Sequence, residues 1–293
     1  MKYRTLGKTG LEVSVIGVGA WQFGGEWGKD FTQAEVDQIL GRAKDLGINL
    51  IDTAECYGDH LSESLIGKAL QKNRKDWIIA TKFGHKYNGY LERTHQWSPK
   101  EILKQLEDSL KALRTDTIDL YQFHTGDDNV FGQEELWAFL KEQAKAGKIR
   151  HLGNSVGNDY LHQTKLSEKF GVEVMQVIYN RLETKPETEV FPICKEQRLG
   201  VLARMPLASG FLSGKYKPGT VFGNDQRSRF DQKRNFERLK MVEDIKKTEV
   251  PEGVNMAQWA LAWCLKNSQV TAVIPGCKNL EQLESNAQAA ELI

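Results

Sequence analysis

The sequence is short of several things, and each shortage excludes something. Four cysteines stand among 293 residues. Cys56, Cys194, Cys264 and Cys277 form no CxxC or CxxxC pair, so neither a zinc site nor a disulfide frame is expected. This usage fits a reducing compartment. No apolar run approaches the length of a membrane span, and Met1-Lys2-Tyr3-Arg4-Thr5 lacks a signal core, so a cytoplasmic protein is expected. Neither charge sign is in excess. Lys and Arg number 40 against 39 Asp and Glu, which gives no electrostatic case for nucleic acid or membrane partners. A dinucleotide fingerprint is also missing. The nearest stretch, Gly17-Val18-Gly19-Ala20-Trp21-Gln22, lacks the third glycine of GxGxxG, which counts against an open doubly wound sheet. No shift in composition marks a boundary, so residues 1–293 read as one domain.

What is present is alternation. Residues 3–15 read as a hairpin around Gly7-Lys8-Thr9-Gly10. Apolar runs follow at 15–19, 48–52, 77–81, 118–123, 148–153, 172–178, 201–204 and 270–274. Helical patterns separate them. Capping boxes open two of these helices, Thr32-Gln33-Ala34-Glu35 and Ser98-Pro99-Lys100-Glu101. Further helices are expected near 61–71, 133–146, 158–170, 188–197, 236–247 and 256–266, with a last one capped by Asn279. A polar, aromatic loop precedes Ser98. Residues 205–235 break the order with a glycine-rich, basic stretch whose length suggests function. Strands alternating with helices imply a parallel sheet, and eight such units imply a (β/α)8 TIM barrel, its bottom closed by the N-terminal hairpin.

Three consecutive runs end in ionisable groups: Asp52, Lys82 and His124, with Tyr57 on the turn after Asp52. In a barrel the carboxyl ends of the strands share one face, and that face carries the site. A tyrosine is a weak acid with an ordinary pKa of about 10. A buried ammonium beside it favours the phenolate, and Asp52 supplies the ammonium's counter-charge. His124 can donate to an oxygen that gains negative charge. The set suits protonation of a carbonyl oxygen as it becomes an alkoxide, with a hydride from a cofactor. Lys82 could instead serve as a Schiff-base nucleophile.

These motifs together resemble the aldo-keto reductase family over essentially the whole chain. The resemblance rests on Asp52-Thr53-Ala54-Glu55-Cys56-Tyr57-Gly58, Lys82, His124, the run Pro206 to Tyr216, and Ile274-Pro275-Gly276 followed by Gln282 and Asn286. The run at 206–216 is similar to the bacterial and potassium-channel-β-subunit-like branches. The resemblance implies NADPH-dependent reduction of aldehydes or ketones, with Tyr57 as proton donor, Lys82 and Asp52 as its tuning pair and His124 orienting the carbonyl. It also implies a sensor that binds NADPH with little turnover as an alternative.

Implied cofactor contacts are Gln176 and Ser155 at the nicotinamide amide, with Val156 where the family has asparagine. Arg204 stands where many members place an aromatic ring against the nicotinamide. Pro206, Leu207, Ser209, Gly210, Leu212, Gly214 and Lys215 would face the pyrophosphate, and Arg227 would clamp the loop over NADPH. Gly276 and Lys278 would lie near the 2′-phosphate, and Gln282 and Asn286 near phosphate and adenine; Gln282 also reads as the capping residue of its helix. Gly19 and Trp21 adjoin the nicotinamide, and Trp21, Tyr57 and His124 would meet the substrate. Of the loop aromatics, Phe23, Trp27, Tyr87 and Trp97 read as packing. No metal is expected, and Cys56 reads as packing. The chain ends at Ile293 without the long C-terminal loop of some branches, which implies an open, tolerant pocket.

Overall fold

The computed structural model describes residues 1–157, 160–223 and 226–293. In chain order the strands are β1 (Tyr3–Thr5), β2 (Glu12–Ser14), β3 (Val18–Gly19), β4 (Leu50–Asp52), β5 (Ile78–Phe83), β6 (His85–Gly89), β7 (Glu92–His95), β8 (Ile118–His124), β9 (Ile149–Ser155), β10 (Val174–Ile178), β11 (Gly200–Arg204) and β12 (Ala272–Val273). The helices are α1 (Gln33–Asp45), α2 (Leu61–Ala69), α3 (Pro99–Leu113), α4 (Asp128–Phe131), α5 (Glu134–Lys145), α6 (Leu161–Phe170), α7 (Pro186–Glu189), α8 (Phe191–Glu196), α9 (Gln232–Thr248), α10 (Met256–Lys266) and α11 (Leu280–Gln288).

The expected eight-stranded parallel α/β barrel forms, in the order β3-β4-β5-β8-β9-β10-β11-β12. Bridges from Ile16 to Val273 and from Gly19 to Gly276 bring the first strand against the last. Alternation along the strands sorts the apolar side chains into two layers. Leu50, Ala80, Leu120, Val174, Leu202 and Ala272 pack inside with Leu6, Leu11 and Val13 of the hairpin β1–β2, which therefore plugs the amino-terminal end. Their neighbours Ile51, Ile79, Tyr121, Met175 and Ala203 join the larger core beneath the helices.

Both capping boxes form. Thr32 and Ser98 each accept from the backbone of the glutamate three residues on, whose side chain reaches back to the cap. These caps start α1 and α3 where the sequence indicates.

Elsewhere the structure corrects the expectation. The loop expected before Ser98 is a two-stranded ribbon, β6–β7, with His85 opposite His95 and an irregularity between Tyr87 and Gly89. The expected helix near 188–197 is two short pieces, α7 and α8, and α9 begins at Gln232 rather than 236. The helix expected near 158–170 is seen from Leu161; residues 158 and 159 lie outside the described residues, as do 224 and 225 of the long loop. That loop contains a 3-10 segment, Ala208–Ser213, in which Ser209 and Gly210 take left-handed backbone angles. No described helix is long and apolar enough to cross a membrane.

Candidate active site

Side chains two positions beyond the inner apolar layer also face the barrel interior. From Leu50, Ala80, Leu120, Val174 and Leu202 this rule leads to Asp52, Lys82, Gln122, Gln176 and Arg204. The strands thus switch from an apolar layer to a polar one as they near their carboxyl ends.

Lys82 organises this layer. Its Nζ donates to Asp52 Oδ1 at 2.7 Å, to the Thr53 carbonyl at 2.7 Å and to the Tyr57 hydroxyl at 3.2 Å. The side chain is 1% exposed, and all of its donors are directed at neighbours. Asp52 Oδ2 accepts from Gln176 Nε2 at 2.7 Å and from Gln122 Nε2 at 3.0 Å. Ser155 Oγ donates to Gln176 Oε1 at 3.2 Å. The ion pair is therefore buried with most of its hydrogen-bonding capacity met, the condition under which such a pair persists.

Burial opposes the Lys82 charge, yet Asp52 and the Tyr57 oxygen outweigh it and hold the ammonium above its ordinary value. For Tyr57 the balance differs from the sequence expectation. Burial pushes the phenol up to about 12, against the downward pull of Lys82, with Asp52 adding to the rise. The phenol is thus kept protonated, and the ammonium 3.2 Å away is placed to stabilise a phenolate once the proton leaves. Burial holds His124 well below its ordinary value, and His85 and Lys82 add to this, so its ring is neutral.

Tyr57 is set by close packing. Gly58, Asp59 and His60 all have positive φ, 67°, 53° and 64°, which makes a tight turn directly after it. Gly24 lies across its backbone: a Cβ there would stand 2.6 Å from the Tyr57 carbonyl carbon. The ring lies 6.0 Å from Trp21, stacked, and 6.2 Å from His124, edge-on. Trp21 is held in turn by buried Glu26, which accepts from its Nε1 at 2.6 Å and from the Leu91 amide at 3.1 Å and pairs with Arg93. Glu26 so fastens the first loop to the ribbon β6–β7.

A cavity of about 620 Å³ opens over these groups, within the usual size of a small-molecule site. Its wall carries Trp21, Asp52, Tyr57 and His124, then Gly19, Ser155, Gln176 and Arg204. Pro206, Leu207, Ser209, Gly210, Lys215 and Arg227 line the next stretch, and Gly276, Lys278, Gln282 and Asn286 follow. Lys82 lies behind Asp52 and Tyr57. Leu212 and Gly214 are not on the wall: the Leu212 amide donates to the Leu207 carbonyl at 3.1 Å, and Gly214 packs against Met256. Trp27 is on the wall, although among the loop aromatics the sequence favours lining for Trp21 only.

Three placements refine the sequence expectations. Arg204 Nη2 donates to the Val156 carbonyl at 2.9 Å, so the residue replacing the family's asparagine contributes its backbone. Gln282 Oε1 accepts from the Lys278 amide at 2.9 Å while its own amide donates to Asn279, so it serves its helix as well as the wall. Lys278 Nζ donates to the Trp27 carbonyl at 3.0 Å. Gln122, Glu26, His85 and Arg93 were missed. Counting back two residues from His124 would have found Gln122; the others sit on loops or the ribbon, where no periodicity points to them.

The family model for the aldo/keto reductase family matches residues 15–292. The chain belongs to that family. It is 32% identical over 294 residues to the uncharacterized oxidoreductase YqkF of Bacillus subtilis, covering 99% of this chain and 91% of that one. It is 30% identical to a probable voltage-gated potassium channel subunit beta of Arabidopsis thaliana, covering 100% and 92%. Among solved structures, the holo form of aldo-keto reductase AKR11C1 of Bacillus halodurans superposes with a TM-score of 0.83 at 30% identity, over 99% of this chain and 91% of that one. This aldo-keto reductase is accordingly an oxidoreductase of a family that binds nicotinamide cofactors.

Proposed function

We propose that the protein reduces aldehydes or ketones to alcohols with NADPH, working as one domain over its whole length. The observation that carries this reading is Tyr57 OH at 3.2 Å from a buried ammonium that is itself anchored on Asp52. The cofactor fits the cavity on two grounds. Arg204 Nε and Gln22 Oε1 are buried on its wall without hydrogen-bond partners. Lys215, Arg227, Arg229 and Lys278 supply positive charge along it. The nicotinamide, when bound, supplies the hydride.

The chain's own residues do the rest. Ser155, Gln176 and Arg204 hold the nicotinamide end, and Trp21 and His124 confine the carbonyl. His124, neutral, donates to the carbonyl oxygen, and Tyr57 gives that oxygen its proton as charge develops. Lys82 then stabilises the phenolate left behind. Lys82 is poorly suited to Schiff-base chemistry, because Asp52 and the Tyr57 oxygen keep its nitrogen protonated against the opposing effect of burial.

The test is the fall of NADPH absorbance with a panel of sugars, methylglyoxal-like aldehydes and aryl aldehydes. Turnover with any of them supports the reading. Inactivity across the panel with NADPH still bound would favour a sensor, the alternative suggested by the likeness to a channel subunit beta. A covalent adduct at Lys82 after borohydride trapping would favour an aldolase.

The NADPH preference has its own test. Moving Lys278 from the Trp27 carbonyl to the 2′-phosphate replaces a neutral acceptor by a charged one. Hydrogen bonds to charged groups contribute roughly 1.5–3 kcal/mol, so Lys278→Met is expected to weaken NADPH by about tenfold or more. NADH affinity should stay unchanged. Titration of nucleotide fluorescence reads both, and an equal loss for the two nucleotides would rule out this role for Lys278.

A structural prediction concerns Gly24. Gly24→Ala forces the Tyr57 backbone aside, and misplacement near 1 Å costs up to about 10²-fold in rate. Turnover is expected to fall while NADPH affinity holds. Unchanged kcat would mean that the turn yields without moving the phenol.

A further inference from the structure

The barrel brings together three metal-ligating side chains that stand far apart in sequence. One ligand atom each from Cys56, His85 and His124 lies within 4.8 Å of the other two. The Cys56 sulfur is 3.8 Å from His124 Nδ1. The rings of His85 and His124 are 4.5 Å apart, centroid to centroid, and tilted.

The hydrogen bonds decide which lone pairs are available. His85 Nε2 is 2.7 Å from the His124 carbonyl oxygen, which can only accept, so Nε2 carries the hydrogen. Nδ1 then keeps the lone pair of that ring, and it is buried with no hydrogen-bond partner. A buried polar atom left unmatched is uncommon and calls for an explanation. The bond from Nε2 to a backbone carbonyl is also the usual support for a metal-bound histidine, since it fixes tautomer and ring direction. His85 and His124 both line the cavity, and a site with three protein ligands takes a water as its fourth.

We propose that Cys56, His85 and His124 form a binding site for a soft divalent transition-metal ion, with zinc as the representative. One thiolate and two imidazoles suit zinc or cobalt and do not suit magnesium or calcium. Tetrahedral ligands at zinc bond lengths stand roughly 3.3–3.7 Å apart, so side-chain adjustments of about 1 Å close the site. On binding, the Cys56 S–H bond breaks, its proton leaves to water, and the sulfur electron pair goes to the metal. Cys194, Cys264 and Cys277 are also free and buried, but among the described residues none of them belongs to such a group. Occupancy also diverts His124; this consequence rests on the reading of His124 as the carbonyl-orienting group, whereas the site itself does not.

The experiment is titration of the chelator-treated full chain with cobalt(II), without nucleotide or carbonyl, followed by absorption spectroscopy. The expected result is a thiolate-to-cobalt charge-transfer band saturating at one equivalent, bleached by zinc. Cys56→Ser should remove the band, and His85→Ala should weaken binding at least tenfold. Thermal melts check that both variants fold, and the unmodified chain provides a test independent of either. No charge-transfer band at saturating cobalt overturns the site, as does a band that survives Cys56→Ser or an affinity unchanged by His85→Ala. Zinc loading should then lower carbonyl turnover at least tenfold, reversed by chelation. Unchanged turnover with zinc bound would overturn the coupling and leave the spectroscopic result standing. Because the cobalt spectrum needs no turnover, failure of the metal site and failure of the reductase reading are distinguishable.

Discussion

Replacing Tyr57 by phenylalanine is expected to lower carbonyl turnover by ~10²–10⁴-fold, the range typical of losing a positioned general acid. The substitution removes one oxygen and leaves the ring stacked on Trp21 at its 6.0 Å separation. Lys82 keeps Asp52 and the Thr53 carbonyl as partners, both at 2.7 Å. Neither the ion pair nor the cavity wall should reorganise. The loss should therefore appear in kcat, with nucleotide affinity within about twofold of the parent, since an interaction made only in the transition state leaves ground-state binding intact. Steady-state kinetics with the best carbonyl of the panel, paired with NADPH titration, separates the two quantities. A Tyr57→Phe enzyme within threefold of the parent would sink the assignment, because no other described hydroxyl touches Lys82 Nζ.

The direction of the Tyr57 shift bears on how the proposed donor would work. Sequence reasoning put an ammonium beside the phenol and expected the proton to be held loosely. The structure adds burial, which dominates and raises the phenol to about 12. The two descriptions concern different moments. Before reaction, the phenol must keep its proton, and burial ensures it. In the proposed reaction the phenolate must be tolerated, and Lys82 at 3.2 Å is placed to stabilise it. The low-dielectric setting that raises the resting pKa also strengthens the later ammonium–phenolate attraction.

The legibility of the sequence follows the same division between local and long-range causes. Asp52, Lys82 and His124 could be read because each ends an apolar run, and strand ends on one barrel face must be neighbours. The caps at Thr32 and Ser98 could be read because a capping box is a four-residue interaction. The ribbon β6–β7 was hidden, since His-Lys-Tyr-Asn-Gly and Glu-Arg-Thr-His bury little apolar surface and carry no hydrophobic alternation. Glu26 was hidden because its partners Trp21, Leu91 and Arg93 come from two separate loops. The grouping of Cys56 with His85 and His124 was hidden for a sharper reason. Metal spacing rules describe ligands on one local segment, whereas these three come from the turn after β4, the start of β6 and the end of β8. The expectation of no metal rests on cysteine spacing, which is blind to a grouping that the barrel assembles from distant segments.

Removal of Lys82 is expected to damage stability and chemistry together, which distinguishes it from removal of Tyr57. Lys82→Met leaves Asp52 as a buried carboxylate with two amide donors and no cation bonded to it. Breaking a buried pair from one side typically costs ~3–5 kcal/mol, because the remaining charge is uncompensated. Urea unfolding should show the midpoint falling with an unchanged slope, the sign of lost stability without a change in exposed area. Turnover should be lost as well, since the phenolate of Tyr57 would form without its cation. Adding Asp52→Asn to Lys82→Met removes the stranded charge and keeps an amide oxygen for Gln122 and Gln176. The double variant should therefore regain a large part of the stability and none of the activity. That non-additivity is the signature of coupled residues, and it separates an electrostatic role from a packing one: a methionine that merely packed badly would leave the two losses additive. Additive losses, or a Lys82→Met midpoint indistinguishable from the parent, would show that the charge of Lys82 is balanced by something other than Asp52.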